Sequence, residues 1–209
     1  MADKITDFVI TIGREYGSYG NEIGKALAEK LNIPFYDKEL LKMAAQESGI
    51  SEELFMQADE KPINSLLYSI VAHGFPAYAG ANQYNSYLTN DKLFNIQAEV
   101  VRNVAEKPCV IVGRCADDIL ANSDKKFISV FIYASKQDRI RKIAEEYNVS
   151  EKEANDMIKK VDKSRASYYE FYTNKIWGDS VNYDLCFNSR IGIERSVALI
   201  TDYLILMQK

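Results

Sequence analysis

The chain has 209 residues, 47% of them hydrophobic and 27% charged, a composition that argues against collagen-like, disordered and membrane-spanning classes. Its net charge of −4 leaves no cationic surplus for gripping a polyanion, so polymeric nucleic acid is not expected as a partner. The length suits one compact domain over residues 1–209, large enough to bury its core without disulfide staples.

The polar opening Met1-Ala-Asp-Lys-Ile-Thr-Asp7 precedes an apolar run far shorter than a signal core or the ~20 residues of a membrane span. A cytoplasmic protein with no membrane partner is expected. Residues 8–12, short and β-branched, predict a strand buried on both faces. A glycine-punctuated turn follows from Gly13 to Gly20, and Ile23, Leu27, Ala28 and Leu31 then fall at helical spacing. Residues 34–36 predict a second strand, and a helix beginning at Asp37 places Leu40, Leu41, Ala44 and Ala45 on one face.

Ser51 with Glu52 and Glu53 marks a further helix start, and another helix is expected over 65–72. Residues 73–89 lack either period and read as a long loop. Helix resumes over 91–106, followed by a third strand over 109–112 that runs into Gly113 and Arg114. Residues 127–132 predict a fourth strand. Ser135 with Asp138, and Ser150 with Glu153, have the spacing of helix caps. The second cap opens a long helix reaching the tyrosine-rich run at 168–172. A fifth strand over 185–187 and an amphipathic helix over 191–207 close the chain. Strands that alternate with helices and are nearly all apolar predict an α/β fold, a parallel sheet covered on both faces with ligands at the strand carboxyl ends.

Cys109, Cys115 and Cys186 are odd in number and lack a C-x-x-C pair, so they read as reduced thiols. The single histidine, His73, excludes any site built from several imidazoles. The chemistry is expected at the first strand–helix junction instead. Glycines there leave backbone N–H groups unhindered and aimed at a helix N-terminus, an anion cradle most often used for phosphate. Neither common fingerprint is complete. The pattern G-x-x-x-x-G-K-[ST] aligns at Gly20, but Asn21 stands in place of lysine and Glu22 in place of the metal-binding hydroxyl.

Five blocks taken together resemble the cytidylate kinase-like family. They are Ile12-Gly-Arg-Glu-Tyr-Gly-Ser-Tyr-Gly-Asn-Glu-Ile-Gly24, Pro34-Phe-Tyr-Asp-Lys-Glu-Leu40, Val112-Gly-Arg-Cys-Ala-Asp117, Asp162-Lys-Ser-Arg-Ala-Ser-Tyr-Tyr169, and Trp177-Gly-Asp with Asn182-Tyr-Asp-Leu-Cys-Phe-Asn-Ser189. The resemblance implies a P-loop nucleoside monophosphate kinase fold, a five-stranded parallel sheet flanked by helices. It further implies an acceptor-binding helical insertion over 38–106 and a lid over 150–180. ATP would be the donor, Mg2+ the metal, and CMP, dCMP or a similar small molecule the acceptor. The loop from Gly13 through Gly17, Ser18, Tyr19, Gly20, Asn21 and Glu22 would hold the donor phosphates, with Arg14 beside it and Arg139 near the donor base. Asp37, Lys38, Arg114 and Asp117 would lie on the acceptor side, with Asp117 as the candidate magnesium carboxylate. Lys163 and Arg165 would bring lid charge to the transferring group, joining Arg14 and Arg114 as the catalytic cations.

Three other readings of these residues stand beside that one. A nucleotide-binding regulatory module with the same fold but little transfer is motivated by Asn21 and Glu22. An acceptor that is not a nucleotide fits the same cleft. A short-chain dehydrogenase shares the strand–glycine loop–helix order and an acid near Asp37, but no tyrosine in the chain is followed four residues later by lysine.

Overall fold

The computed structural model describes residues 8–58, 90–121 and 123–207. The helix expected over 65–72, the loop expected over 73–89 and His73 lie outside these residues. Strand β1 (Val9–Arg14) leads through a tight loop to α1 (Gly20–Leu31), then β2 (Phe35–Tyr36), α2 (Glu39–Ser48) and α3 (Glu52–Ala58). After the undescribed segment come α4 (Asn90–Val104), β3 (Val110–Val112), α5 (Ala116–Ala121) and β4 (Phe127–Tyr133). The chain finishes with α6 (Lys136–Tyr147), α7 (Glu151–Thr173), β5 (Leu185–Asn188) and α8 (Ile193–Met207).

The five strands form one parallel sheet in the order β2-β3-β1-β4-β5. Alternation along each strand sorts its side chains to two faces. Ile10 and Ile12 of β1 join Val110 and Val112 of β3 in a core closed by α1 and α8, through Ile23, Leu27, Val197 and Ile200. Val9 and Ile111 point the other way, into a core shared with α2, α4, α5 and the aromatic end of α7. Both faces are thus covered, which is why the strands read as unbroken apolar runs. A third, smaller core joins α6 to α7 through Ile140, Ile143, Ala154 and Ile158.

The predicted caps are formed. Ser135 accepts from the Asp138 amide. Ser150 and Glu153 make a reciprocal capping box at the start of the 23-residue α7. Two boundaries differ from expectation in ways that shape the site. Strand β1 runs two residues past Ile12, because Gly13 and Arg14 pair with Phe131 and Ile132 of β4. Helix α2 begins at Glu39 rather than Asp37, whose carboxylate serves Asn21 and Arg14 instead of a cap. Among the described residues no helix is long and apolar enough to cross a membrane. The three cysteines are free.

Candidate functional site

The carboxyl ends of β1 and β3 face the N-terminus of α1, and the loop between β1 and α1 is held from behind. The Glu15 amide donates to the Ile132 carbonyl at 3.1 Å, and the Ser18 hydroxyl to the same carbonyl at 3.0 Å. Gly17 turns the chain at φ +80°, where a Cβ would meet Ile143 Cγ1 at 3.1 Å and the Arg139 carbonyl at 3.2 Å. A side chain there would be strained by its backbone and crowded by α6. Tyr19 also takes a left-handed conformation, at φ 63°, and enters α1 without a side-chain cap. The amides of Gly20, Asn21 and Glu22 therefore open the helix with no carbonyl of their own helix to accept from them. They border a cleft of about 350 Å³.

The loop amides do not all turn the same way. Tyr16 donates its N–H to Asp162 Oδ1 at 2.8 Å and Ser18 to the Glu15 carbonyl at 3.3 Å. Ser18 is buried, so its expected part in a phosphate cradle is taken by structural bonds. Gly13 lies in the sheet itself, where a Cβ would stand 2.8 Å from the Phe131 ring.

Three guanidinium groups from separate parts of the chain meet around a small cavity beside the cleft, and two of them, Arg14 and Arg165, also line the cleft itself. Arg14, at the end of β1, lies 3.7 Å from Asp37 Oδ1, and Asn21 Nδ2 donates to Asp37 Oδ2 at 2.8 Å. Asp37 Oδ1 has no hydrogen-bond donor and is buried at the cleft wall. Arg114 sits in a run of positive φ angles, Gly113 at 76°, Arg114 at 64° and Cys115 at 54°, a sparsely populated backbone that directs its side chain inward. Burial pushes its pKa down to about 10 while the Asp37 carboxylate supports its charge, so it remains a cation at neutral pH. Arg165 reaches in from α7, donating Nη1 to the Arg14 carbonyl at 3.1 Å, with its guanidinium 5.7 Å from the centre of the Tyr16 ring.

Other expected residues are placed differently. Arg139 stands behind the loop, paired with Asp162 and 3.4 Å from Glu15, and does not line the cleft. Lys163 is exposed on α7, outside the cleft wall, whereas Lys38 is exposed at its rim. Asp117 occupies the first turn of α5, its Oδ2 accepting from the Tyr169 hydroxyl at 2.6 Å. It lines an inner cavity of about 20 Å³, room for one water, walled also by Arg114, Arg165, Trp177 and Tyr183. Burial holds the Asp117 carboxyl above its ordinary value.

No cluster of three or more His, Cys, Asp or Glu among the described residues forms a metal cage. Mg2+ needs only one or two carboxylates when substrate phosphates supply the rest. Asp37, a cleft-wall carboxylate whose Oδ1 accepts no hydrogen bond and has the Arg14 guanidinium at 3.7 Å, is the carboxylate that could meet that requirement, whereas Asp117 lies in the inner cavity and engages Tyr169.

Sequence reasoning missed Lys142. It lines the cleft from α6, paired with Glu22 and lying 4.0 Å from the centre of the Tyr19 ring. The available signal was spacing: positions 139, 142, 143 and 146 share the helix face turned to the loop. The arrangement as a whole offers a polyanion one helix N-terminus and several fixed cations.

A sequence profile of the Cytidylate kinase-like family matches residues 9–191. The chain matches none of the curated protein sequences. Among solved structures, it is similar to an uncharacterized protein from Eubacterium ventriosum ATCC 27560, at 30% identity and a TM-score of 0.69, over 95% of this chain and 98% of that one. It is similar in fold to a shikimate kinase from Bacteroides thetaiotaomicron, at 20% identity and TM-score 0.54, over 94% and 98% of the two chains. A gluconokinase from Sinorhizobium meliloti 1021 shares the fold at 12% identity and TM-score 0.51, over 97% and 98%. A profile match over most of the length and a five-stranded parallel sheet with kinase neighbours agree: the chain belongs to the cytidylate kinase-like family and has a P-loop kinase fold.

Proposed function

We propose that the protein transfers a phosphoryl group from ATP to a small acceptor, and that the acceptor is a nucleoside monophosphate such as CMP or dCMP. The observation that carries this reading is the meeting of Arg14, Arg114 and Arg165, from β1, the turn after β3 and α7, with Arg14 and Arg165 also lining the cleft that the open helix amides border. Phosphoryl transfer needs alignment and charge neutralisation more than covalent chemistry, and fixed cations in a partly dry site supply both.

In this reading the amides of Gly20, Asn21 and Glu22 bind the donor polyphosphate. A second cavity of about 260 Å³, sharing Tyr19 and Lys142 with the first, supports placing the donor's nucleoside there. Arg114 and Asp37 orient the acceptor, with segment 38–106 as the acceptor-binding insertion, and segment 150–180 is the lid that carries Arg165 to the transferring group. Mg2+ contributes charge neutralisation when bound, with Asp37 as the carboxylate that would hold it. The free thiols and an ATP donor fit a cytoplasmic setting.

A second reading, nucleotide binding without transfer, is favoured by one observation: position 21 carries a neutral side chain engaged by Asp37. Incubation with ATP and Mg2+ against CMP, dCMP, the other monophosphates, shikimate and gluconate separates the readings. Steady formation of ADP with one phosphorylated monophosphate is expected. Tight ATP binding with no product across the panel assigns the protein to the second reading, and phosphorylation of a hydroxy acid alone removes the nucleotide acceptor.

A further inference from the structure

The loop that opens α1 contributes no cationic side chain between Glu15 and Glu22. Asn21 engages Asp37, and Arg14 and Arg165 approach from the sheet and α7. Across the cleft stands α6. Its contact with the loop is close, because a Cβ on Gly17 would meet Ile143 Cγ1 at 3.1 Å, and Ile143 is itself fully buried in the core between α6 and α7. Lys142 precedes Ile143 and projects from this docked surface into the cleft.

We propose that Lys142 is the cation that the phosphate loop lacks, delivered from α6 to the donor polyphosphate, and that Glu22 is the positioning residue that holds it there. This rests on the reading of the cleft as the donor-phosphate site. The lysine side chain is only 12% exposed, which is unusual for a residue type that normally keeps its head group in water. Its ammonium is fixed by the Glu22 carboxylate on one side and the Tyr19 ring, at 4.0 Å, on the other. Tyr19 occupies a left-handed backbone position that costs a non-glycine residue energy, and its ring lies against the ammonium.

Glu22 alone is an obstacle to this reading. A carboxylate in the first turn of α1 competes with an incoming phosphate for the same helix N-terminus. Paired with Lys142, its charge is cancelled and the ammonium stands beside the open amides. A polyphosphate arriving there exchanges carboxylate oxygens for phosphate oxygens around the same ammonium, a charge-assisted contact of the same kind. Because Lys142 also lines the neighbouring 260 Å³ cavity, it stands where the polyphosphate would pass from loop to nucleoside.

The test is calorimetric titration of the full chain with ATP and with inorganic tripolyphosphate, without acceptor, on wild type, Lys142→Met, Lys142→Arg and Glu22→Gln/Lys142→Met, each checked for folding by thermal denaturation. Lys142→Met is expected to weaken both ligands by at least about tenfold, with Lys142→Arg within about threefold of wild type. The double variant is expected to stay as weak as Lys142→Met. Unchanged affinity in Lys142→Met, equal loss in Lys142→Arg, or recovery in the double variant overturns the cationic role. The last result would trace the loss to an uncompensated Glu22. Absence of ATP binding by wild type overturns the donor-site reading itself, which the variants then cannot rescue.

Discussion

Asp117 shows how a single side chain changes meaning once its surroundings are known. Burial raises its carboxyl pKa above the ordinary value of 3.8, while the Tyr169 hydrogen bond and the charge of Lys175 pull it back in part. The ionised form is therefore less favoured in the folded chain than in the unfolded one. The stability linked to Asp117 is complete below that ordinary value and is lost as pH rises through the folded value. Asparagine keeps an acceptor for the Tyr169 hydroxyl and removes the charge. Asp117→Asn is expected to raise the melting temperature at pH 7, with the difference from wild type closing below about pH 4. Equal melting temperatures at neutral pH would show that solvent or a counter-charge already neutralises the group. At this scale the sequence was partly legible. Arg14, Asp37, Arg114 and Arg165 lie at strand ends or in recognisable blocks, and they do converge. Lys142 and the Asp162 brace on the loop were not legible, because each acts across a gap of more than a hundred residues that no local pattern encodes.

Helix α1 and strand β1 meet with almost no space between them, and Gly20 is the point of closest approach. A Cβ there would lie 2.5 Å from Arg14 Cβ and 3.1 Å from its Cγ, atoms near the backbone that cannot swing aside. Gly20→Ala is expected to lower stability by about 1–3 kcal/mol, the ordinary cost of overpacking. It should weaken ATP binding as well, because the helix amides and Arg14 are displaced together. Urea denaturation and calorimetry on one sample check both, and an unaltered protein in both would mean that the junction yields more easily than its spacing implies. The elements themselves were largely readable. Apolar runs such as Val110-Ile-Val112 and the Ser150–Glu153 box are local, and local signals carry strands and caps. What could not be read was how far β1 extends. Gly13 and Arg14 look like loop residues until β4 lies alongside them.

Across the whole molecule, α7 is the element that joins the parts. Asp162 holds the Tyr16 amide and Arg139, Arg165 holds the Arg14 carbonyl, and Tyr169 holds Asp117. These contacts flank the outer cleft of about 350 Å³ and the inner cavity of about 20 Å³, with Arg165 in the wall of each. Arg165 donates to a neutral carbonyl, and a charged polyphosphate is a stronger acceptor for the same guanidinium. A donor polyphosphate that takes over this guanidinium would release one contact between α7 and β1 in the wall of the inner cavity. The kinetics should then follow a compulsory order, with triphosphate first. Calorimetry is expected to detect no acceptor uptake by the free protein and clear uptake once a non-hydrolysable triphosphate is present. Equal uptake in both cases would establish random addition and leave Arg165 without a part in timing.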